Sequence, residues 1–572
     1  MSKRVMLWCG FLFAVYVWLA LPRIGLPVLA EELSFPGSAM LPMSEAIRIL
    51  PHPVGYLGLL KLLLHVGVPA GPWLRVLGLL SFGVTIGLTA ALANQLTARS
   101  GWLAALLWTL HPMAVQGSQI LEIDTTLLTV AVTAFLVLVV AWPLELSRRQ
   151  LGWIGIGFAG CLWVKLSCAP FLLLAVALRG WSARQWRLGW NQMAGVGGTA
   201  ACVFLSSWIV VCHLIGIPWT SIFRWVVLST YTGSGSAVAW SADVLSRSGR
   251  IGLWITPWLL LLLVVVARWV GRRAAADQWR WWCVLGVVGA IMAGYFLVRG
   301  TAWGFPKYHA PALPAAVAAV AALSVRLVRL NTPRKRLMLG VAGIVAALYF
   351  WNVGDLLYQF NYPLRLAFMT GAPPVSDALH RLWVQGMFYV LPGLVIGVAV
   401  WRGSSRQRWS GYVMGLLVLL AGSSAALDLR QRQAPYATTY HYGRPWSPYR
   451  EAIHWVSAYR QEHPHGKIVG PPDLLWSAGI PMREVLGLEI HARDAIQAAV
   501  DDPSVSCIVY GISTNDLKTW RTLLQDPGFL QHIQQRFTRL TLGEGEYTVW
   551  VRKEKGVESG AQRRALMMGE RP

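Results

Sequence analysis

The chain has 572 residues, of which 55% are hydrophobic and only 13% charged. With a mean hydropathy of +0.49, it has too little polar surface to cover a water-soluble globule of this size, and a polytopic membrane protein is what remains. The net charge of +24 invites a nucleic-acid reading. However, Arg and Lys stand in short clusters between apolar runs, where the cytoplasmic loops of a membrane protein carry them, so the basic balance is a topology signal and no nucleic-acid partner is expected.

Lys3 and Arg4 precede an apolar run from Val5 to Leu21, which keeps the N-terminus in the cytoplasm and sends the first helix outward. Val28-Leu29-Ala30 has the form of a signal-peptidase site, but Arg23 and two prolines separate it from the apolar run and cleavage is not expected. Residues 22–66 make a long first outer loop, too polar to cross a bilayer whose core asks for about 20 apolar residues per helix. This loop, with juxtamembrane helices in it, collects Glu31, Glu32, Glu45, Arg48 and His52. Charge gathered at one membrane face of a charge-poor chain marks an active-site loop.

Further apolar spans follow at about 73–93, 101–116, 125–142, 193–213, 251–268, 280–298, 308–326, 337–353, 384–401 and 409–427. Basic residues fall on alternate connections, which places those loops inside. Segment 152–178 is flanked by Arg on both sides, so it enters and leaves on one face. It is too short for two full spans, which predicts two short helices meeting near Lys165 and Pro170. The total is roughly thirteen transmembrane helices with an outward C-terminus. The same parity puts Glu31, Glu32, Glu45, Glu122, Asp124, Asp243, Asp355 and Asp377 outside and leaves Glu145 and Asp277 inside, so the chemistry is expected to face outward.

After Asp428 the composition is that of a soluble domain. Ser447-Pro448 opens a helix to about Gln461. Apolar runs at 467–469, 506–510 and 547–551 alternate with helical patterns near 491–500 and 516–525, as in a small α/β domain. The expected organisation is an all-α membrane domain at 1–429, an extracytoplasmic α/β domain at 430–552 and a disordered tail at 553–572. No Gly-rich phosphate loop indicates a nucleotide-sugar site. Six of the seven cysteines lie in apolar segments, Cys507 lies in a strand-like run, and they form neither a disulfide framework nor a metal spacing.

Five short stretches occur in a suggestive order. They are the acidic pair Glu31-Glu32; Pro51-His52-Pro53-Val54-Gly55-Tyr56; Gln119-Ile120-Leu121-Glu122-Ile123-Asp124; Leu162-Trp163-Val164-Lys165; and Pro306-Lys307-Tyr308-His309-Ala310-Pro311-Ala312-Leu313-Pro314. Together they resemble the C-type (GT-C) membrane glycosyltransferases that use polyprenyl-phosphate sugars, the group of protein O-mannosyltransferases and lipid A aminoarabinose transferases. Glu31 stands where that family usually has Asp. The motif resemblance covers about residues 1–330, and beyond it only the architecture is shared.

The resemblance implies an inverting glycosyltransferase of the inner (plasma) membrane. It would move a sugar from a polyprenyl-phosphate donor to a lipid, glycan or protein acceptor outside the cytoplasm. Proton removal from the acceptor hydroxyl asks for a carboxylate, for which Glu31 is preferred and Glu32 is the alternative; solvation of a loop is the bland reading of both. Asp124 is compatible with orienting the acceptor, holding the base, binding a divalent cation, or capping the following helix. The departing phosphate needs cations, which Lys165 and Lys307 supply if they are not simply snorkelling to the interface. Tyr308 adds a hydrogen bond there or serves as an interfacial ring. His52 and Tyr56 are substrate-side residues, His52 having no partner at metal-ligand spacing. Two other classes remain in view: a secondary transporter, which the lack of a counterpart to the broken segment 152–178 disfavours, and a polysaccharide polymerase or ligase.

Overall fold

The computed structural model describes residues 2–28, 30–223, 256–272, 277–297, 306–352, 375–401, 406–430, 446–485, 493–511, 517–542 and 545–553. The chain folds as two units. The first takes Met1–Leu26, Ser34–Phe368 and Pro373–Gly443, and the second takes Pro27–Leu33, Met369–Ala372 and Arg444–Pro572.

The first unit is helical. Among the described residues, Lys3–Ile24, Pro72–Leu96, Asp124–Ala141, Trp186–Ile215, Lys307–Val328 and Gln407–Leu429 are long and apolar enough to cross a membrane, and shorter apolar helices accompany them. Several of the roughly thirteen expected spans run into stretches such as 224–255 and 353–374, which lie outside the described residues, as do Asp243 and Asp355. Helix Leu313–Val328 is buried along nearly its whole length. Its Ala-rich sequence explains this, because helices in lipid approach closely where side chains are small.

Helix α1 (Lys3–Ile24) leads into the first loop. Beyond its first segment the loop folds as three short helices, α2 (Ser34–Met40), α3 (Met43–Ile49) and α4 (Gly55–His65). After α5 (Val76–Leu96), the stretch expected as one span at 101–116 is instead two pieces, α6 (Gly101–Leu110) and α7 (Pro112–Gly117). The cause is Pro112: a residue before proline is driven out of the α region, and His111 is extended at φ −71°, ψ 122°. The helix that follows opens with a π turn, Asp124–Leu128, and continues as α8 (Thr129–Ala141). Segment 152–178 is broken where its charge sits. Helix α9 (Arg148–Val164) stops, Lys165 is extended at φ −161°, ψ 127°, a 3₁₀ turn covers Leu166–Cys168, and α10 (Ala169–Ser182) starts with Pro170 in its first turn. Helix α11 (Trp186–Ile215) packs on both α9 and α10.

The second unit is built on a four-stranded sheet in the order β1-β2-β4-β3, with β1 (Lys467–Val469) parallel to β2 (Val505–Gly511), and β4 (Tyr547–Arg552) antiparallel to both β2 and β3 (Phe537–Leu542). Central β2 and β4 are buried on both faces and read as continuous apolar runs. Ile496, Val500, Trp520, Leu523, Phe529 and Ile533 pack against them. Strand β3 and the helix before it, Pro527–Arg536, are elements the sequence pattern did not reveal. As an edge strand, Phe-Thr-Arg-Leu-Thr-Leu buries only its two ends, and the helix is announced only by Asp526, whose side chain accepts the Gly528 N–H at 3.0 Å. Residues 554–572, the expected disordered tail, lie outside the described residues.

Candidate active site

Charged side chains inside a helical membrane unit are costly unless paired, and four of them pair here at one place. The acidic partners come from the turn between α7 and α8. Thr125 Oγ1 donates to Gly117 O at 2.6 Å and Thr126 Oγ1 donates to Glu122 O, so the chain folds back on itself before helix α8 begins. Thr129 Oγ1 then donates to Asp124 O at 2.6 Å, which holds the π turn. Such turns are frequent at functional sites, and this one presents Glu122 and Asp124 together.

Asp124 is fully buried, and both of its carboxylate oxygens accept from Lys165 Nζ, at 2.8 and 2.6 Å. Lys165 is there because α9 ends one residue earlier, and its carbonyl is tied down by the Cys168 thiol at 3.0 Å. Lys307, in the 3₁₀ segment Pro306–Ala312, donates to Glu122 Oε2 at 2.8 Å, while Glu122 Oε1 accepts the Ile123 N–H at 3.0 Å. Glu122 and Lys307 are 3% and 5% exposed. The Tyr308 ring joins the two pairs, its centroid 5.0 Å from Lys165 Nζ and 5.3 Å from Lys307 Nζ, within cation–π range of both.

His52 completes the cluster from the first loop. Burial, followed by the positive charges of Lys165 and Lys307, drives its imidazole down to about 3, so the ring is neutral at physiological pH. Gly55 sets its approach: a Cβ at that position would stand 2.6 Å from Trp163 O, so only glycine lets the start of α4 rest on the last turn of α9, just before Lys165. Tyr56 is buried in the same helix, its ring edge-on to Phe35 at 5.3 Å and 79°.

Four of the residues singled out in the sequence, Asp124, Lys165, Lys307 and Tyr308, therefore meet, His52 stands within reach of the charges of both lysines, and Tyr56 packs in the helix that His52 precedes. Glu122 joins them as a full partner. The sequence shows it as one of the outward acids and inside the Gln119–Asp124 stretch, without a role of its own, and the signal for more was its position two residues before Asp124 at the head of a threonine-rich turn. The acidic pair of the first loop belongs to the other unit. Segment Pro27–Leu33 folds with the C-terminal residues, where Ser477 Oγ donates to Val28 O at 3.2 Å and Glu32 is fully buried. The side chain of Glu31 lies outside the described residues. Among the described residues no group of three His, Cys, Asp or Glu stands ready to hold a metal ion. Chemically, the cluster offers two ammonium groups, each neutralised by its own carboxylate, around one phenol and one neutral imidazole. Its charges cancel, so it holds an anion only where an ammonium turns from its carboxylate.

No family model matches the chain, and no curated protein matches it. Solved structures do. ArnT from Cupriavidus metallidurans bound to undecaprenyl phosphate is 16% identical with a TM-score of 0.50, covering 95% of this chain and 97% of that one. The same protein in its apo state gives 15% identity over the same shares with the same TM-score. ArnT is a lipid A aminoarabinose transferase of the GT-C family, so the fold of this chain is similar to one found in the group that the sequence motifs resemble.

Proposed function

We propose that this chain is an integral-membrane glycosyltransferase that moves a sugar from a polyprenyl-phosphate donor to an acceptor outside the cytoplasm, inverting the anomeric carbon. The observation that carries the reading is the buried pair of ammonium groups around Tyr308, each placed by its own carboxylate. It stands in a fold similar to that of a protein whose structure holds undecaprenyl phosphate.

In this reading the acceptor oxygen attacks the anomeric carbon as the bond from that carbon to the phosphate oxygen breaks. The electron pair leaves with the phosphate, whose growing negative charge meets Lys165 and Lys307 in a site screened from bulk water, where fixed cations act most strongly. The acceptor proton goes to a carboxylate. The acidic pair Glu31 and Glu32 keeps that part as a proposal from the sequence, and loss of a positioned base costs about 10²–10⁴ in rate. Asp124 fixes Lys165. A divalent cation at Asp124 would enter in place of that ammonium. His52, neutral, offers a hydrogen bond to the sugar without adding charge. The acceptor is a lipid, a glycan or a protein of the cell envelope, the N-terminus is cytoplasmic, and residues from about 430 onward lie outside with the catalytic face.

The purified protein should transfer sugar from a polyprenyl-phosphate donor, and Lys307→Ala should raise the donor KM more than the acceptor KM. Efficient transfer from a nucleotide sugar without a lipid intermediate, or sugar uptake into proteoliposomes without transfer, would overturn the reading.

A further inference from the structure

The cluster poses an electrostatic problem. Two ammonium groups and two carboxylates sum to zero, so an anionic phosphate gains strong binding only where an ammonium turns away from its carboxylate toward the incoming oxygen atoms. The two pairs are not equally able to do this. Lys165 is gripped by both oxygens of Asp124, at 2.8 and 2.6 Å. Lys307 meets Glu122 through Oε2 at 2.8 Å, and the other oxygen of Glu122 is committed to the Ile123 N–H at 3.0 Å. When Lys307 turns, Glu122 stays where it is, held by the backbone, and its charge remains beside the phosphate.

We propose that Glu122 is a positioning residue that competes with the lipid phosphate for Lys307: it stores the ammonium in the empty site, yields it to the donor and draws it back to expel the polyprenyl phosphate after transfer. This rests on the donor reading above and adds a release step to it. The donor is a phosphodiester with one negative charge, whereas the product is a phosphomonoester that carries up to two at neutral pH, so without a competitor the site would hold its product more tightly than its substrate. A fixed carboxylate near the phosphate opposes that trend, because its repulsion grows with the phosphate charge. Two unit charges a few ångströms apart in a protein interior interact by several kcal/mol, which makes about a tenfold effect on affinity a conservative expectation.

The test is polyprenyl-phosphate affinity, measured as product inhibition and by direct binding to the purified full-length protein in detergent. Glu122→Gln keeps the shape and removes the charge. It is expected to tighten polyprenyl-phosphate binding about tenfold and to lower multiple-turnover kcat by more than it lowers the single-turnover rate. A residue that merely supported the fold would weaken binding and slow both rates. Glu122→Asp, which keeps the charge, should bind the product as the wild type does. In a Lys307→Gln background, where there is no ammonium to compete for and only the repulsion between Glu122 and the phosphate is left, the Glu122→Gln effect should shrink, and this pairing of two amides serves if the single variant does not fold. Unchanged or weaker product binding in folded Glu122→Gln, or the same tightening with and without Lys307, overturns the competition while leaving the donor reading in place. Failure of the wild type to bind polyprenyl phosphate or to transfer from its sugar ester would instead remove the donor reading itself.

Discussion

The helix that starts at Asp124 and ends at Ala141 is gripped by a basic side chain at each end, and the two grips differ in kind. At its start Lys165 holds a carboxylate. At its end Arg179, from α10, donates to the backbone carbonyls of Val139, Pro143 and Leu144 and to the Gln192 side chain, and its guanidinium lies 4.4 Å from the centre of the Trp279 ring. Both basic groups are buried. A carboxylate can be exchanged for another anion, whereas main-chain carbonyls at a helix end have no substitute and need their donors. In the proposed function the start of this helix faces the donor phosphate, while its end stays as it is. The same contrast separates the cation proposed for the active site from a structural one.

The contrast breaks most sharply at Arg179. Arg179→Leu takes its donor from the buried Val139 carbonyl and from the part-buried Pro143 carbonyl, while Leu144 O keeps Gln192 Nε2; at about 1–3 kcal/mol for a buried unsatisfied group, a loss of about 2 kcal/mol is expected, read as a lower thermal midpoint and poor recovery from membranes. Turnover per folded molecule should hardly change. At the other end, Asp124→Asn should act chiefly on rate. With its anchor neutral, Lys165 is misplaced, and displacement of a catalytic cation by about an ångström costs about 10²-fold. If Asp124→Asn kept wild-type turnover while Arg179→Leu abolished it in folded protein, the two ends would have been assigned the wrong way round.

Much of this site was legible because of what charge costs in an apolar chain. Lys165 and Lys307 stood out as lysines at the ends or interruptions of apolar helices, and the break at Lys165 followed from basic flanks on both sides of a short segment. Their partners were not legible. Asp124 lies 41 residues from Lys165 and Glu122 lies 185 from Lys307, and no local pattern encodes pairings at such distances. The acidic pair shows the opposite failure. Glu31 and Glu32 read as part of a loop continuous with His52, yet Pro27–Leu33 folds with residues about 450 positions downstream, where Val28 meets Ser477 across a separation of 449. The kink at His111 was readable in principle, since Pro112 alone causes it, but an unbroken apolar run masked it. Strand β3 was missed although Arg539-Leu540-Thr541-Leu542 alternates, because it is a short edge strand whose full burial is confined to its two ends.

The smallest expected effect comes from His52, which reports on the ligand-facing end without belonging to either ion pair. Its ordinary value of 6.5 is lowered to about 3, by burial first and then by Lys165 and Lys307. Above pH 6.5 neither the folded nor the unfolded chain protonates it, so its contribution to stability is level there. As the pH falls from 6.5 toward 3, the unfolded chain takes up a proton that the folded chain refuses, and stability declines. Between pH 7.5 and 5.5 this amounts to about 1 kcal/mol, visible as a drop in thermal midpoint that His52→Asn should abolish. The pH–rate profile over the same range should keep its shape in His52→Asn, because the ring is neutral throughout. Polyprenyl phosphate supplies the stricter test. An anion seated between Lys165 and Lys307 cancels part of the positive field on the imidazole, so with the lipid phosphate bound the decline of the midpoint should level off at a higher pH than without it. A levelling-off unmoved by bound polyprenyl phosphate would place the anion away from these lysines, and the distinction between a ligand-facing end and a fixed end would lose its chemical basis.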